Sequence, residues 1–425
     1  MPQLQLISEL PSHSEAAWNV TFNPTRNLLA SCSTDRSIRL FSYTLPDSII
    51  DSSPNLPSSS DSKPVFSLNK VIETEHKRTV RSISWAPDGK TLASGSFDST
   101  VGVWEEVIPS SDDENDDEEE GIFKPPGTEG VEGKQEKEWE CVTTLEGHES
   151  ECKSVAFSSD GALLASCSRD KSVWVWEVQP DADFECIAVM MEHSQDVKCI
   201  AWHPHEEILA SASYDSHIHL AFDDPDSDWM IFQKLHPKLP ANPLTLSSHS
   251  PSSLIHALIP TKEEKEADAQ LDVPPLEEDE TVWSLAFSPD GSYLASGGDL
   301  GGIRIWKRQG NQPDSQWVEI SHLAVHSRSI FSLAWSPSPY NDSSTNDLGF
   351  LASASGDGKI VVFQITSKDD GGVEMKPIAA IKDAHGVSDV NSVGWCIRDD
   401  KKGLGILSSA GDDGSIKVWR VISDD

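Results

Sequence analysis

One stretch, residues 147–176, constrains the fold more than any other part of the chain. It contains three short β-strand segments, at 152–157, 162–167 and 172–176. Two turn sequences, Ser159-Asp160-Gly161 and Arg169-Asp170-Lys171, separate these apolar or alternating segments. The stretch opens with Gly147-His148 and ends with Trp176. Short strands joined by tight turns predict an antiparallel sheet, which must bury its faces against other sheets.

The same unit recurs along the whole chain. An Asp in the turn before the third strand marks each of seven copies: Asp35, Asp98, Asp170, Asp215, Asp299, Asp357 and Asp413. The spacing of 45 residues from Asp170 to Asp215 matches the about 40–45 residues of one WD40 propeller blade. The unit therefore resembles the WD40 repeat, which implies an all-β, seven-bladed β-propeller. We predict that residues 1–425 form this single domain.

A fourth, outer strand can be placed in every copy but the last. The candidates are 65–72, 139–145, 185–191, 229–235, 317–325 and 374–381. The last copy reaches Trp419 only six residues before the final residue, 425. Residues 3–10 alternate polar and apolar ahead of the first copy. We predict that this N-terminal strand joins the last blade and closes the ring, which leaves no open sheet edge there.

Three long insertions interrupt the repeats, and we expect all three to be disordered. Segments 43–64 and 106–137 join third to outer strands, which places them on the bottom face, whereas 236–280 joins blades four and five on the top face. Segment 106–137 carries 12 Asp and Glu against 3 Lys. Segment 43–64 is rich in Ser and Pro, and 236–280 is rich in Ser and Pro at first and then charged. Such compositions bury too little apolar surface to fold alone.

Histidine, serine and aspartate recur at fixed spacing, which invites a catalytic interpretation. The spacing instead fits the structural tetrad of WD40 blades, in which Asp accepts from His, Ser bonds His, and the Trp indole donates to Ser. Three complete sets are present: His148, Ser166, Asp170 and Trp176; His76, Ser94, Asp98 and Trp104; His385, Ser409, Asp413 and Trp419. A set repeated around a ring indicates architecture, and we predict no enzyme activity.

Metal and cofactor sites are not expected either. His217 and His219 lie two apart on a strand, and His203 and His205 lie in a nearby turn. Zinc can use such pairs, but no third ligand stands at a recognisable spacing. The Gly-rich run 297–302 joins two strands and precedes no helix that could receive a phosphate.

Charge and cysteine content restrict the partners and the compartment. The net charge of −37 argues against binding to nucleic acid or to an anionic membrane. The seven cysteines form no CxxC pair, as expected of reduced thiols in the cytoplasm. The N-terminus shows no secretory signal, and no apolar run is long enough to span a membrane.

The top of a propeller channel is where such folds bind peptides, and position in the repeat indicates its lining. The residue after the first apolar residue of each inner strand is Trp18, Arg81, Lys153, Lys198, Trp283, Phe331 or Asn391. The residue before the turn Asp adds Phe97, Arg169 and Tyr214. Four cations, Arg81, Lys153, Arg169 and Lys198, thus converge in an acidic chain, which favours a site for a carboxylate.

The aromatic residues Trp18, Phe97, Tyr214, Trp283 and Phe331 flank these cations, and exposed aromatics anchor apolar side chains of partners. A second interpretation stays open. Each cation can pair with a local carboxylate such as Glu151 or Asp196, and the aromatics can stack on their neighbours.

Three segments in blades three to five have sequences more specific than the general repeat. They are 167–177 (Cys-Ser-Arg-Asp-Lys-Ser-Val-Trp-Val-Trp-Glu), 192–198 (Glu-His-Ser-Gln-Asp-Val-Lys) and 280–287 (Glu-Thr-Val-Trp-Ser-Leu-Ala-Phe). The chain resembles the WD40 subunit of the cytosolic iron–sulfur protein assembly (CIA) targeting complex, in a fungal form. That family implies a non-catalytic scaffold which helps recognise apo-proteins for 4Fe–4S cluster insertion in cytosol and nucleus.

The resemblance also implies partners and a functional residue. The partners are a small CIA protein with a reactive cysteine, a HEAT-repeat CIA protein, and apo iron–sulfur proteins, some through C-terminal tails. The family's functional Arg corresponds to Arg169. Some relatives carry Leu-Tyr-Arg where this chain has Leu220-Ala221-Phe222, so docking through that tripeptide is not expected. The alternative is a generic WD40 peptide receptor, such as a ubiquitin-ligase substrate receptor or a histone-peptide reader.

Overall fold

A computed structural model describes residues 2–46, 63–107, 137–180, 183–224, 228–246, 251–259, 280–339, 346–398 and 400–423. These residues form seven antiparallel sheets of four strands, one of which gains a short fifth strand. The innermost strand of each sheet contacts the innermost strands of both neighbouring sheets, so the sheets stand as blades around a central channel. This confirms the predicted seven-bladed β-propeller.

The strands of the first four blades run from the channel outward in chain order. Blade one has β2 (Ala17–Phe22), β3 (Leu28–Ser33), β4 (Ser37–Thr44) and β5 (Val65–Glu73). Blade two has β6 (Val80–Trp85), β7 (Thr91–Ser96), β8 (Val101–Val107) and β9 (Glu138–Leu145). Blade three has β10 (Cys152–Phe157), β11 (Leu163–Ser168), β12 (Val173–Val178) and β13 (Phe184–Met190). Blade four has β14 (Val197–Trp202), β15 (Ile208–Ser213), β16 (Ile218–Asp223) and β17 (Trp229–Leu235).

The last three blades follow the same order. Blade five has β19 (Val282–Phe287), β20 (Tyr293–Gly298), β21 (Gly302–Arg308) and β22 (Trp317–Ala324), and β18 (Asn242–Pro243) adds to its outer edge. Blade six has β23 (Ile330–Ser336), β24 (Asp347–Ser355), β25 (Ile360–Ser367) and β26 (Val373–Ile381). Blade seven has β27 (Val390–Trp395), β28 (Ile406–Gly411) and β29 (Ile416–Ser423).

The N-terminal strand completes the seventh blade. Strand β1 (Pro2–Leu10) pairs antiparallel with β29, from Pro2 opposite Ser423 to Leu10 opposite Ile416. Leu4 and Leu10 point inward and are 7% and 3% exposed. The predicted closure of the ring by the chain's own N-terminus is therefore confirmed.

The core lies mainly between adjacent blades. One apolar cluster, for example, joins Leu28 and Ile38 of blade one to Trp85 and Leu92 of blade two. The turn between the second and third strands has a left-handed residue at the same position in every blade: Arg36, Ser99, Lys171, Ser216, Gly301, Gly358 and Gly414, with φ between 67° and 78°. This shared turn fixes the residues on the top face in equivalent places.

The expectation of disorder for 236–280 is wrong for the part that the structure describes. Lys238 and Leu239 donate their backbone N–H groups to Glu319 at 2.7 and 2.9 Å, and β18 then pairs in parallel with β22. Helix α1 (Ser252–Leu258) follows and buries Leu254 and Leu258 against blades five and six. Composition concealed this order because two leucines four residues apart and one strand edge suffice to anchor the segment.

The other two insertions fall largely on residues that are not described, 47–62 and 108–136, so those two predictions are not tested. Within the described ranges, no helix has the length and apolar character needed to cross a bilayer.

Candidate functional site: the mouth of the central channel

A β-bulge occurs at the same point of the innermost strand in all seven blades. The pairing of first and second strands skips one residue in each: Trp18, Arg81, Lys153, Lys198, Trp283, Phe331 and Asn391. A bulge turns the side chain of the extra residue out of the regular alternation. These seven residues are called the channel mouth, and the sequence placed all seven at this position.

The channel mouth encloses a cavity of about 270 Å³. Its seven residues and three others, Phe97, Asp389 and Asp412, line the cavity. Aromatic, cationic and acidic side chains therefore line different parts of the cavity wall. Arg169 and Tyr214, which the sequence also assigned to this surface, lie outside the cavity on its rim.

Two lysines of the channel mouth pair with local carboxylates. Lys153 Nζ lies 2.6 Å from Glu151, and Lys198 Nζ lies 3.4 Å from Asp196. Burial lowers the pKa of Lys198, with Asp196 opposing that shift. Burial raises the pKa of Glu151, but hydrogen bonds from Lys153 and Arg78 outweigh it and leave the pKa lowered. Local pairing, the second interpretation of the sequence, is thus present for these lysines.

Pairing does not remove the lysines from the cavity, because each also lies over aromatic rings. Lys153 Nζ is 4.1 Å from the centre of the Phe97 ring. Lys198 Nζ is 5.0 Å from the Tyr214 ring and 4.8 Å from the Trp283 ring. Cation–π contacts of this kind hold the ammonium groups at the wall of the cavity.

Arg81 forms no ion pair within the described part of the chain. Its guanidinium lies 4.6 Å from the Trp18 ring, and burial lowers its pKa. Arg169 is the opposite case, since its side chain is 58% exposed and stands 3.8 Å from Glu151 and 3.9 Å from Asp196. A charge held so loosely in water is available to a partner.

An acidic arc faces the cations. Position in the repeat places Asp412 on this surface, as the residue before Asp413, but sequence reasoning assigned neither Asp412 nor Asp389 to the site. Asn391 donates to Asp412 at 2.7 Å, and burial together with the Asp412 charge raises the pKa of Asp389. A positional signal was available. Asp389 lies two residues before the bulged Asn391, as Glu151 and Asp196 lie two residues before Lys153 and Lys198.

Blade five differs from its neighbours by one position in the turn. We expected Asp299 to be the turn Asp of this blade. It instead accepts hydrogen bonds from Ser329 and from the indole of Trp283, a channel-mouth residue. Leu300 stands at the usual Asp position. Arg304 fills the adjacent space, pairing with Glu280 at 3.2 Å and Glu319 at 2.6 Å. The sequence has no His at the tetrad position of this blade and offers Glu278 there, and that residue lies outside the described ranges.

The repeated His, Ser and Asp residues form hydrogen-bonded sets inside the blades. In blade three, His148 Nδ1 lies 3.0 Å from Asp170, His148 Nε2 lies 2.8 Å from Ser166, and Trp176 donates to Ser166 at 3.2 Å. The corresponding contacts in blades two and seven involve His76, Ser94, Asp98 and Trp104, and His385, Ser409, Asp413 and Trp419.

Three further blades have the His, Ser and Asp contacts with another residue in place of Trp: His13, Ser31 and Asp35; His193, Ser211 and Asp215; His326, Ser353 and Asp357. Each ring nitrogen is occupied by a neighbour, and the imidazoles are buried. The contacts join the top turn of a blade to its second strand, which is a structural arrangement.

The histidines considered as metal ligands have other contacts. His203 Nε2 lies 3.0 Å from the carbonyl oxygen of Gly291, and His219 stacks on His193. Among the described residues, no three His, Cys, Asp or Glu side chains are placed to hold a metal ion. All seven cysteines are free, and burial raises the pKa of Cys152 to about 12 and of Cys199 to about 11.

Comparison with known proteins agrees with this architecture. The family described as "WD domain, G-beta repeat" matches residues 4–42, 65–105, 139–177, 184–220, 276–307, 317–364 and 376–420. The class of the protein is therefore a WD40-repeat β-propeller.

Curated relatives narrow that class. A Cryptococcus neoformans protein called "Probable cytosolic iron-sulfur protein assembly protein 1" is 69% identical, and the match covers 100% of both chains. Relatives of the same name in Mycosarcoma maydis and Vanderwaltozyma polyspora are 40% and 35% identical, covering 99% and 98% of this chain and 93% and 99% of theirs. The chain belongs to the cytosolic iron–sulfur protein assembly protein 1 family.

Proposed function

We propose that this protein is a non-catalytic adaptor of cytosolic iron–sulfur protein assembly, and that its channel mouth binds partner or client segments. The full-length similarity to relatives named for that process supports the adaptor role. The ring of seven bulged side chains carries the site assignment, because it combines three cations with aromatic walls around one cavity. In this role the cluster is cargo destined for other proteins.

The partners proposed are those that the family resemblance implies. They are a small CIA protein with a reactive cysteine, a HEAT-repeat CIA protein, and apo iron–sulfur proteins. A C-terminal tail fits the channel mouth chemically, since its carboxylate can meet the Arg81 and Lys153 side and an aromatic residue can pack on Trp283 or Phe331. We place the adaptor in the cytoplasm, with the nucleus as a second site of action.

The test is affinity isolation of the tagged full chain from its own cells, with co-isolated proteins quantified. Wild type should retain CIA proteins and iron–sulfur enzymes, and Arg169→Glu or Lys153→Glu should release iron–sulfur enzymes while the propeller stays folded. Lys90→Glu, on the exposed Lys90 of the bottom face, is the charge-matched control. Isolation of a cullin adaptor or of histones in place of CIA proteins would favour the generic WD40 receptor.

Clients retained equally by wild type, Lys153→Glu and Arg169→Glu would reject the channel mouth and its rim as the client site while leaving the adaptor role standing. Depletion of the protein tests that role separately. Cytosolic iron–sulfur enzyme activities should fall while mitochondrial ones persist, and unchanged cytosolic activities would reject the adaptor role.

A further inference from the structure

A second cavity, of about 650 Å³, opens on the top face beside the channel mouth. Residues of the insertion within 242–246 and 251–259 form one wall, and the top loops of blades five to seven form the other. We call it the insertion groove and define it by Leu246, Ile259, Arg328, Lys359, Lys382 and Val387. Its volume lies in the roughly 300–1,000 Å³ range of pockets that bind ligands.

Apolar side chains stand exposed at both walls of the insertion groove. Ile259, directly after α1, is 51% exposed, and Val387, at the tip of the loop between blades six and seven, is 105% exposed. Leu246 packs beneath them against the core of blades five and six. Two exposed branched side chains facing one cavity form a surface that an apolar side chain of a partner can cover.

The charge of the groove selects an acidic occupant. Arg328, Lys359 and Lys382 line it together with two carboxylates, Asp357 and Asp383. Asp357 is already engaged, since it lies 3.0 Å from His326 and 3.5 Å from Lys359. The lining of the groove therefore carries three cations against two carboxylates, in a chain of net charge −37. Such a local reversal of sign attracts acidic segments.

Arg328 is the most available of these cations. Its side chain is exposed, and its guanidinium forms no hydrogen bond or ion pair with any residue in the described ranges. A guanidinium in that state can bind a carboxylate through two parallel N–H groups without first breaking a contact.

The groove and the channel mouth share a wall at Gly356. A Cβ atom there would lie 3.1 Å from the Phe331 ring and 3.5 Å from Asp389, both of which line the channel mouth. Gly356 itself lines the insertion groove. Because Gly356 has no side chain, only a low ridge separates the two cavities at this point.

We propose that the insertion groove binds an extended, acidic peptide segment of a partner protein, with an aliphatic or aromatic side chain packed between Ile259 and Val387 and a carboxylate on Arg328. The inference rests on the proposed function in treating the top face as the face that binds proteins. The groove is a separate subsite from the channel mouth, with its own cations and its own apolar walls.

Random dodecapeptides displayed on phage, selected on the immobilised full-length chain, test the proposal. Enriched peptides should combine Asp or Glu with Leu, Ile, Phe or Trp. A labelled synthetic consensus peptide should then bind about tenfold more weakly to Arg328→Glu and to Val387→Glu, which is a loss of about 1.4 kcal/mol. Both positions are exposed, so neither change is expected to unfold the protein.

Matched controls are Lys90→Glu for the charge and Val65→Glu for an exposed valine, 66% exposed on the outer strand of blade one. Both should bind the peptide as wild type does. Enrichment of basic peptides, or equal affinity for wild type and both groove variants, would overturn the proposal. If instead only Arg169→Glu weakened the peptide, the ligand would belong to the channel mouth, which rejects the groove and spares the proposed function.

Discussion

His193 and His219 stack face to face in blade four, with ring centres 3.7 Å apart and planes inclined by 6°. Blade four has Ala221 where blades two, three, five and seven have a Trp, and His219 lies at the position that Trp174 holds in blade three. His193 keeps its contacts with Asp215 at 2.9 Å and Ser211 at 2.9 Å. The second imidazole therefore fills space that an indole fills elsewhere, and it is buried.

This stack predicts a pH-dependent stability. Burial, then the neighbouring His193 and Lys234, lower the pKa of His219 to about 3, with Asp215 opposing them. In the unfolded chain His219 is protonated below about pH 6.5, whereas in the folded chain it stays neutral down to about pH 3. The free energy of unfolding therefore decreases as the pH falls through that window. His219→Phe should flatten the fall in urea-unfolding midpoint between pH 7 and pH 5.

The neighbouring His217 provides the control for this measurement, because its side chain is 38% exposed. His217→Phe should leave the pH dependence close to that of wild type. A His219→Phe protein whose midpoint falls as steeply as that of wild type would show that this stack does not cause the acid sensitivity.

Glu151 competes with any acidic ligand for the cations of the channel mouth. It contacts Arg78 at 2.8 Å, Lys153 at 2.6 Å and Arg169 at 3.8 Å. Glu151→Gln removes the negative charge but keeps the shape of the side chain, so the cations gain freedom to bind a partner's carboxylate.

We expect affinity-isolated clients to withstand a higher salt wash with Glu151→Gln than with wild type. The control is Glu105→Gln, at a carboxylate that bonds Thr91 far from the mouth. Weaker retention with Glu151→Gln would indicate that Glu151 positions Lys153 for binding, and would argue against simple competition.

The tetrads predict unequal effects of one substitution in two blades. Ser166 bonds both His148, at 2.8 Å, and the Trp176 indole, at 3.2 Å. Ser31 of blade one bonds His13 at 2.8 Å, and Phe41 replaces the Trp there. Ser166→Ala leaves two buried polar partners without a hydrogen bond, whereas Ser31→Ala leaves one. Each unsatisfied group lowers the free energy of unfolding by about 1–3 kcal/mol.

Ser166→Ala should therefore lower the urea-unfolding midpoint more than Ser31→Ala does. Client retention should be unchanged in both variants, because neither serine reaches the channel mouth. Equal midpoints for the two variants would show that the indole contact contributes nothing measurable.

The repeat made the fold and the seven residues of the channel mouth predictable from the sequence. Propeller blades repeat their register. The same position in each inner strand, one residue after its first apolar residue, therefore identified all seven bulged residues. The same logic failed in blade five, where Asp299 was assigned to the turn although Leu300 occupies that position. A Gly-rich turn carries no side chain that fixes the register by itself.

The acidic arc and the ordered insertion were missed for different physical reasons. The raised pKa of Asp389 comes from burial and from Asp412, which belongs to another strand connection, so the local sequence indicates the position of Asp389 but not the shift of its pKa. The insertion becomes ordered only through contacts with distant residues, such as Arg304 donating to the carbonyl oxygen of Leu239 at 3.0 Å. Composition reports the average tendency of a segment, whereas a few such contacts are enough to fix it.

Closure of the ring predicts a large effect of removing the N-terminal strand. Deletion of residues 2–10 exposes the whole edge of β29 and removes Leu4 and Leu10 from the core. Burial of each leucine contributes about 1.5–3 kcal/mol, and the unpaired edge adds to that loss. The deletion variant should unfold at a clearly lower temperature or aggregate, because blade seven then presents an open strand edge.

The control for this deletion is removal of residues 112–120, an acidic stretch outside the described residues, whose composition predicts no contribution to the core. That variant should unfold at the wild-type temperature. A separately added peptide with the sequence of residues 2–10 should partly restore the first variant, since the ring is closed by strand pairing alone. If the chain lacking 2–10 unfolded at the wild-type temperature without the peptide, the N-terminal strand would not be what holds the propeller closed.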